Sequence, residues 1–354
     1  MEKKGFFTEN DNEFCSLNNR SFGYVIKRMR YPEMFQGYKK SKNYFEGWYF
    51  KMVSGNGSSI FSVIPGISLS SDGKEKHAFI QIIDGTTAET SYYTFPIEDF
   101  SFSKNDFAIR IGKNYFSEKQ LILDIQTDNN NISGVVKFSN IVKFPPGKIL
   151  NPGIMGWYRF VPLMECYHGV VSLNHDLSGY LNIDGKKNIF NDGIGYIEKD
   201  WGSSMPSAWI WMQSNHFSEK NCSFMLSVAN VPWLGKSFTG FLGFFLLKGT
   251  IRRFATYTNA KLVLEQISLN SVKITIKDKE NTYKIEAMRN EVGLLKAPVN
   301  GSMDRRIPES INAIINLKVL DNKGNIIFND STSIAGLELV GDKKDLGFID
   351  NYSM

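Results

Sequence analysis

Four histidines and three cysteines in 354 residues leave little material for several kinds of chemistry. Cys15, Cys166 and Cys222 lie far apart without CxxC spacing, and an odd number cannot pair completely within one chain. Neither a disulfide framework nor a cysteine metal site is expected, and a reducing compartment is the simpler inference. His77, His168, His175 and His216 have no ligand spacing, so no metal centre is expected even with Glu165 nearby. There is no GxSxG elbow, no catalytic cysteine signature, and no Walker or dinucleotide glycine pattern. Charge of one sign is also missing: 41 Lys and Arg face 36 Asp and Glu, and the net +5 is spread along the chain. Nucleic acid is therefore not an expected partner. The most apolar stretch, Phe238 to Leu247, has ten residues and two glycines. A spanning helix needs about 20. The first twenty residues hold no apolar run of secretory type, so a cytoplasmic location is expected.

Aromatic residues are what the chain has in excess, at 14%, within an otherwise ordinary balance of 42% hydrophobic and 22% charged residues. They favour strands and also line pockets for apolar ligands. Runs such as IFSVIPGI, KHAFIQIIDG, TSYYTFPI, FAIRIGKN and LILDIQTDNNNISGVVKF alternate with Asn- and Gly-rich turns, the pattern of antiparallel hairpins. The expected class is all-β with few short helices. One helix is predicted near Tyr31 to Tyr38, and Pro308 to Leu317 reads as helix or strand. The length implies about two domains at roughly 150 residues each. We divide the chain into an N-terminal extension (1–40), a first β unit (41–190) and a second (191–354). Residues 143–162, rich in Pro and Gly, read as an irregular connection covering a barrel mouth. A single long β-sandwich with insertions is the alternative architecture.

Three segments carry candidate chemistry. In YFEGWYF (44–50), Tyr44, Glu46, Trp48 and Phe50 share one face of a strand, and a desolvated Glu46 among aromatics suits a general acid. Pairing of Glu46 with a cation or a backbone amide is the structural alternative. In YIEKDW (196–201), Tyr196, Glu198 and Asp200 share a face, where like charges push one carboxyl's pKa upward. A solvated face with Lys199 opposite is the alternative. In AWIWMQSNH (208–216), Trp209, Trp211, Gln213 and Asn215 place two π faces and two amides together, the composition of a ligand wall; plain core packing competes. His168 and His216 lie nearby in sequence. Trp233, Leu234 and Phe238 read as a hairpin tip able to touch a membrane surface transiently, against an ordinary buried hairpin.

Taken together, YFEGWYFK (44–51), MECYHGVVS (164–172), YIEKDWG (196–202) with PSAWIWMQSN (206–215), and LLKAP (294–298) with AGLELVGD (335–342) resemble the tocopherol cyclase family. The likeness runs from about residue 40 to about 345. It implies two lipocalin-like (calycin) antiparallel β-barrels in tandem, and a cofactor-free intramolecular lyase reaction. In that reaction an acid protonates a prenyl alkene and a phenol oxygen captures the cation. The expected donors are Asp200 or Glu198, then Glu46. Trp48, Trp209 and Trp211 are expected to stabilise the cation, and Gln213, Asn215 or His216 to hold the hydroxyl end, with Tyr196 and His168 completing the pocket. The expected partner is a hydrophobic small molecule, with no protein partner. A non-catalytic carrier of a lipid, quinone or pigment is the alternative function, and a structural protein without a pocket is the third.

Overall fold

The computed structural model describes residues 13–17, 22–145, 147–148, 151–161, 164–233 and 235–348. Leu234 at the expected hairpin tip and much of the N-terminal extension lie outside them. Among the described residues the molecule is nearly all β, in two large sheets whose ladders are antiparallel throughout.

The first sheet has thirteen strands. Its centre is built by Asn131–Lys143, Cys166–Ile183, Gly193–Gly202, Tyr44–Val53 and Ile60–Leu69, side by side. The second has ten strands, centred on Ser223–Trp233, Trp209–Ser214, Ile326–Val340 and Ser302–Asp321. No ladder joins the two edges of either sheet among the described residues, yet both sheets curl. Phe50 in the middle of the first lies 5.9 Å from Phe116, five places away in strand order, and Phe254 at one edge of the second lies 4.5 Å from Tyr283 near the other. Right-handed strand twist supplies that curvature, and each curl encloses its own apolar core. A third core lies where the sheets meet, holding Tyr49, Tyr196, Trp209, Trp211, Phe244 and Ile307.

The strand Gly193–Gly202 pairs with Tyr44–Val53 in the first sheet, and the chain passes to the second sheet between Gly202 and Trp209. Several expectations are corrected. The helix falls at Phe22–Arg30, and residues 31–38 are irregular. Pro32 disfavours helical geometry at Tyr31. The irregular segment instead turns the amides of Gln36 and Gly37 onto the Glu46 carboxylate. Pro308 to Leu317 belongs to the strand Ser302–Asp321. Within the Pro- and Gly-rich connection, Met155 and Tyr158 line a cavity. Arg253 holds the segment by donating to the Gly153 carbonyl at 2.9 Å. The hairpin from Ser223 to Leu247 leaves Trp233 43% exposed near its tip, while Val231, Pro232 and Phe241 line the same cavity. All three cysteines are free, and no helix among the described residues is long and apolar enough to cross a membrane.

Candidate active site

A cavity of about 190 Å³ opens between the two sheets. Most of its wall is apolar: Phe45, Ile64, Phe79 and Met155 on one side, and Leu242, Leu295, Ile307, Trp209 and Trp211 of the second sheet on the other. The two-residue period of Gly193–Gly202 puts Tyr196, Glu198 and Asp200 on one face, and antiparallel register sets Glu198 opposite Tyr49 and Asp200 opposite Gly47. His168 is the partner of Asp200 on the other flank. Gly47, Asp200 and His168 all line the cavity.

His168 joins the two acids. Its Nδ1 lies 2.8 Å from Asp200 Oδ1 and its Nε2 3.5 Å from Glu198 Oε2, which also accepts the Tyr196 hydroxyl at 2.6 Å. Burial opposes charge on the imidazole, but Glu198 and then Asp200 outweigh it and lift His168 to about 9. Burial lifts Glu198 to about 7, with the imidazolium pulling the other way and Asp200 adding to the rise. Both shifts favour the protonated forms, a cationic ring at His168 and a carboxylic acid at Glu198. The indole N–H of Trp211 faces Glu198 without reaching hydrogen-bond geometry.

His168, Glu198 and Asp200 are also the group among the described residues whose donor atoms come close enough to suit a cation. The fit is poor. Asp200 sits on one ring nitrogen and Glu198 on the other, so coordination through Nε2 supplies two ligands and leaves Asp200 as the ring's hydrogen-bond partner. A catalytic zinc site takes three protein ligands.

Other residues expected at the site stand elsewhere. Glu46 and Trp48 face the interior of the first sheet, because the alternation that turns Phe45, Gly47 and Tyr49 to the cavity turns them away. Glu46 is fully buried. It forms an ion pair with Lys199 at 2.5 Å and accepts the amides of Gln36 and Gly37 and the Tyr44 hydroxyl. Lys199, 1% exposed, lies 4.6 Å from the Trp48 ring and 5.0 Å from that of Trp201, and on the opposite face Tyr196 and Glu198 are buried rather than solvated. Gln213 accepts from Lys51 at 3.3 Å, and Asn215 donates to Asn174 and to the Gly195 carbonyl; neither lines the cavity. His216 is kept neutral, burial and then Lys51 lowering it to about 3, and it too is off the wall. Tyr196 acts behind Glu198 rather than at the surface of the cavity.

Tyr49, Glu309 and Glu338 are among the polar residues outside the expected set that line it. Tyr49 donates to Glu309 at 2.6 Å and receives the Ser62 hydroxyl at 2.7 Å. Trp209 donates its indole N–H to Glu338. The local pattern offers one hint, since each glutamate is the sole charged residue of an apolar run, PESINAII and AGLELVG. Gly336, two residues before Glu338, makes room for Trp211: a Cβ there would lie 2.5 Å from the ring. Gly336→Ala is expected to displace the indole and cost about 1–3 kcal/mol by overpacking. A lowered unfolding midpoint with altered tryptophan emission checks this, and an unchanged midpoint would show that the ring has room to move.

Fold and site together define an all-β protein with a lipophilic chamber between two curled sheets and ionisable groups buried in its wall. The chain belongs to the tocopherol cyclase-like family, whose model matches residues 122–341. It is 24% identical over 199 residues to the chloroplastic tocopherol cyclase of Zea mays, a match covering 52% of this chain and 41% of that protein. A rice protein (Oryza sativa subsp. japonica), named a probable chloroplastic tocopherol cyclase, is 23% identical over 198 residues, 42% of its length. The chain thus matches less than half of either relative. Among solved structures, an AttH candidate of Nitrosomonas europaea aligns over 83% of this chain and 92% of its own, with a TM-score of 0.51 and 12% identity. CghA aligns over 84% and 89%, with a TM-score of 0.51 and 8% identity. At such identities these two attest to a shared fold alone.

Proposed function

We propose that the protein catalyses proton-initiated ring closure, or the related addition of water, on an alkene of a lipophilic substrate held between the sheets. One observation carries this reading: a buried carboxyl, Glu198, lies against a cationic His168 and opens into a chamber walled by Trp209 and Trp211. Glu198 is the donor. The imidazolium beside it stabilises the carboxylate left behind, and Asp200 holds the ring in place. The tertiary cation that forms meets the faces of Trp209, Trp211 and Tyr49, each contributing about 0.5–2 kcal/mol. A hydroxyl oxygen then captures it. The reaction is an isomerisation or hydration and exchanges no electrons with a cofactor. The names of the maize and rice relatives favour a prenylated hydroquinone that closes to a chromanol. A simple carrier would need the apolar wall but would gain nothing from acids buried in it at a desolvation cost.

The test is incubation of the purified protein with a prenylated hydroquinone in D₂O. One deuterium should enter the product at the former alkene carbon. Product without deuterium, or binding without product across a panel of prenylated phenols, would remove the reading. Turnover should also follow the acid form of Glu198, whose pKa lies at about 7. Above that value the protonated fraction falls tenfold per pH unit, so log kcat should decline with a slope near −1 between pH 7.5 and 9. A rate that climbs over this interval would assign the donor to another group.

A further inference from the structure

Glu309 and Glu338 are direct cross-strand partners in the ladder between Ser302–Asp321 and Ile326–Val340. Both are buried, at 0% and 9% exposure, and both line the chamber on the wall formed by the second sheet. Like charges placed opposite one another in an antiparallel ladder repel, more strongly out of water. The donors around them are unevenly placed. Tyr49 serves Oε1 of Glu309 and Trp209 serves Oε2 of Glu338, while Oε2 of Glu309 is buried with no hydrogen-bond partner. An orphaned oxygen on a fully buried carboxylate, facing a second carboxylate, is what remains when a shared proton is left out of account.

We propose that Glu309 and Glu338 hold one proton in common and form a second acid–base station, which binds the hydroxyl of the ligand and takes its proton as the new bond forms. The catalytic half of this assignment rests on the function proposed above; the shared proton and the hydroxyl dock do not. Lys51, Glu198, Asp200, Cys166 and Arg289 are the further ionisable groups that act on the pair. Burial holds Glu309 at about 7, and burial followed by the charge of Glu309 holds Glu338 well above the usual carboxylate range.

The step balances. The Glu198 O–H bond breaks as a C–H bond forms at the alkene. The hydroxyl oxygen gives an electron pair to the cation, its O–H bond breaks, and the proton passes to the free oxygen of the Glu309–Glu338 pair. On product release that proton leaves to water, and water reprotonates Glu198. The ligand is thereby an alcohol or phenol with an apolar body, or an alkene with a water molecule lodged between the two glutamates.

Carboxyl ¹³C NMR of the full chain labelled at glutamate tests the shared proton directly. Glu309 and Glu338 should titrate as a pair in two separated steps, and Glu309→Gln should leave Glu338 with a single step. Independent single titrations in the wild-type chain overturn the proposal, and this measurement needs no variant. Quenching of tryptophan emission by a prenylated phenol and by its O-methyl ether tests the dock. The wild-type chain should prefer the phenol by roughly 10- to 100-fold, and Glu309→Gln and Glu338→Gln should bring that ratio close to one. An unchanged ratio in both folded variants overturns the dock. Absence of turnover alongside paired titration would sink only the function proposed above. Turnover alongside independent titrations would sink only this inference.

Discussion

Glu198→Gln is expected to lower turnover of a prenylated hydroquinone by about 10²- to 10⁴-fold, the range for removal of a positioned general acid. The substitution keeps the volume of the side chain and an acceptor for the Tyr196 hydroxyl, so the wall of the cavity should hold its shape. What disappears is the ionisable proton next to His168. Substrate affinity should change little, because the surrounding wall is apolar and intact, and the loss should fall on kcat rather than KM. Asp200→Asn should behave differently. It removes one of the two carboxylates that lift His168 and so lowers the charge on the ring, an indirect effect on the donor. Full activity of the Glu198→Gln variant at neutral pH would transfer the donor's role to the opposite wall.

Lys199→Met is expected to destabilise the fold by about 3–5 kcal/mol, the usual consequence of removing one member of a buried ion pair. Glu46 would then be left with its charge at 0% exposure, although three neutral donors remain on it. The loss should appear as a lowered urea midpoint with little change in slope. Glu46→Gln combined with Lys199→Met should recover part of the stability, since the stranded charge is gone. Equal destabilisation in the single and double variants would instead attribute the effect to the packing of Trp48 and Trp201 around the lysine. Because this pair lies on the face of the strand turned away from the chamber, the doubly substituted protein should keep its ligand affinity where it folds.

The division between these two predictions shows how far local pattern reaches. Alternation along YIEKDW places Tyr196, Glu198 and Asp200 together and Lys199 with Trp201 opposite, and the structure has that arrangement. The same alternation in YFEGWYF separates Glu46 and Trp48, on which chemistry was expected, from Phe45, Gly47 and Tyr49, which line the cavity. In a strand with one wet face, polarity would mark the difference. Here Tyr44–Val53 is buried on both sides, so nothing in its composition says which side meets the cavity. Glu309 and Glu338 were hidden for a related reason, since one acid in an apolar run has the same appearance whether it faces solvent or a cavity.

Strand content, antiparallel pairing and the family were all determined by the sequence, because hydrophobic period, turn chemistry and short motifs are local quantities. Tertiary structure alone decided that Gly193–Gly202 lies beside Tyr44–Val53 and that Trp209–Ser214 lies beside Ile326–Val340. Those two pairings join segments more than a hundred residues apart, and through them His168, Glu198 and Asp200 come to face Glu309 and Glu338. Register over such separations follows from the packing of two curled sheets against each other, a property that no single stretch of the chain contains.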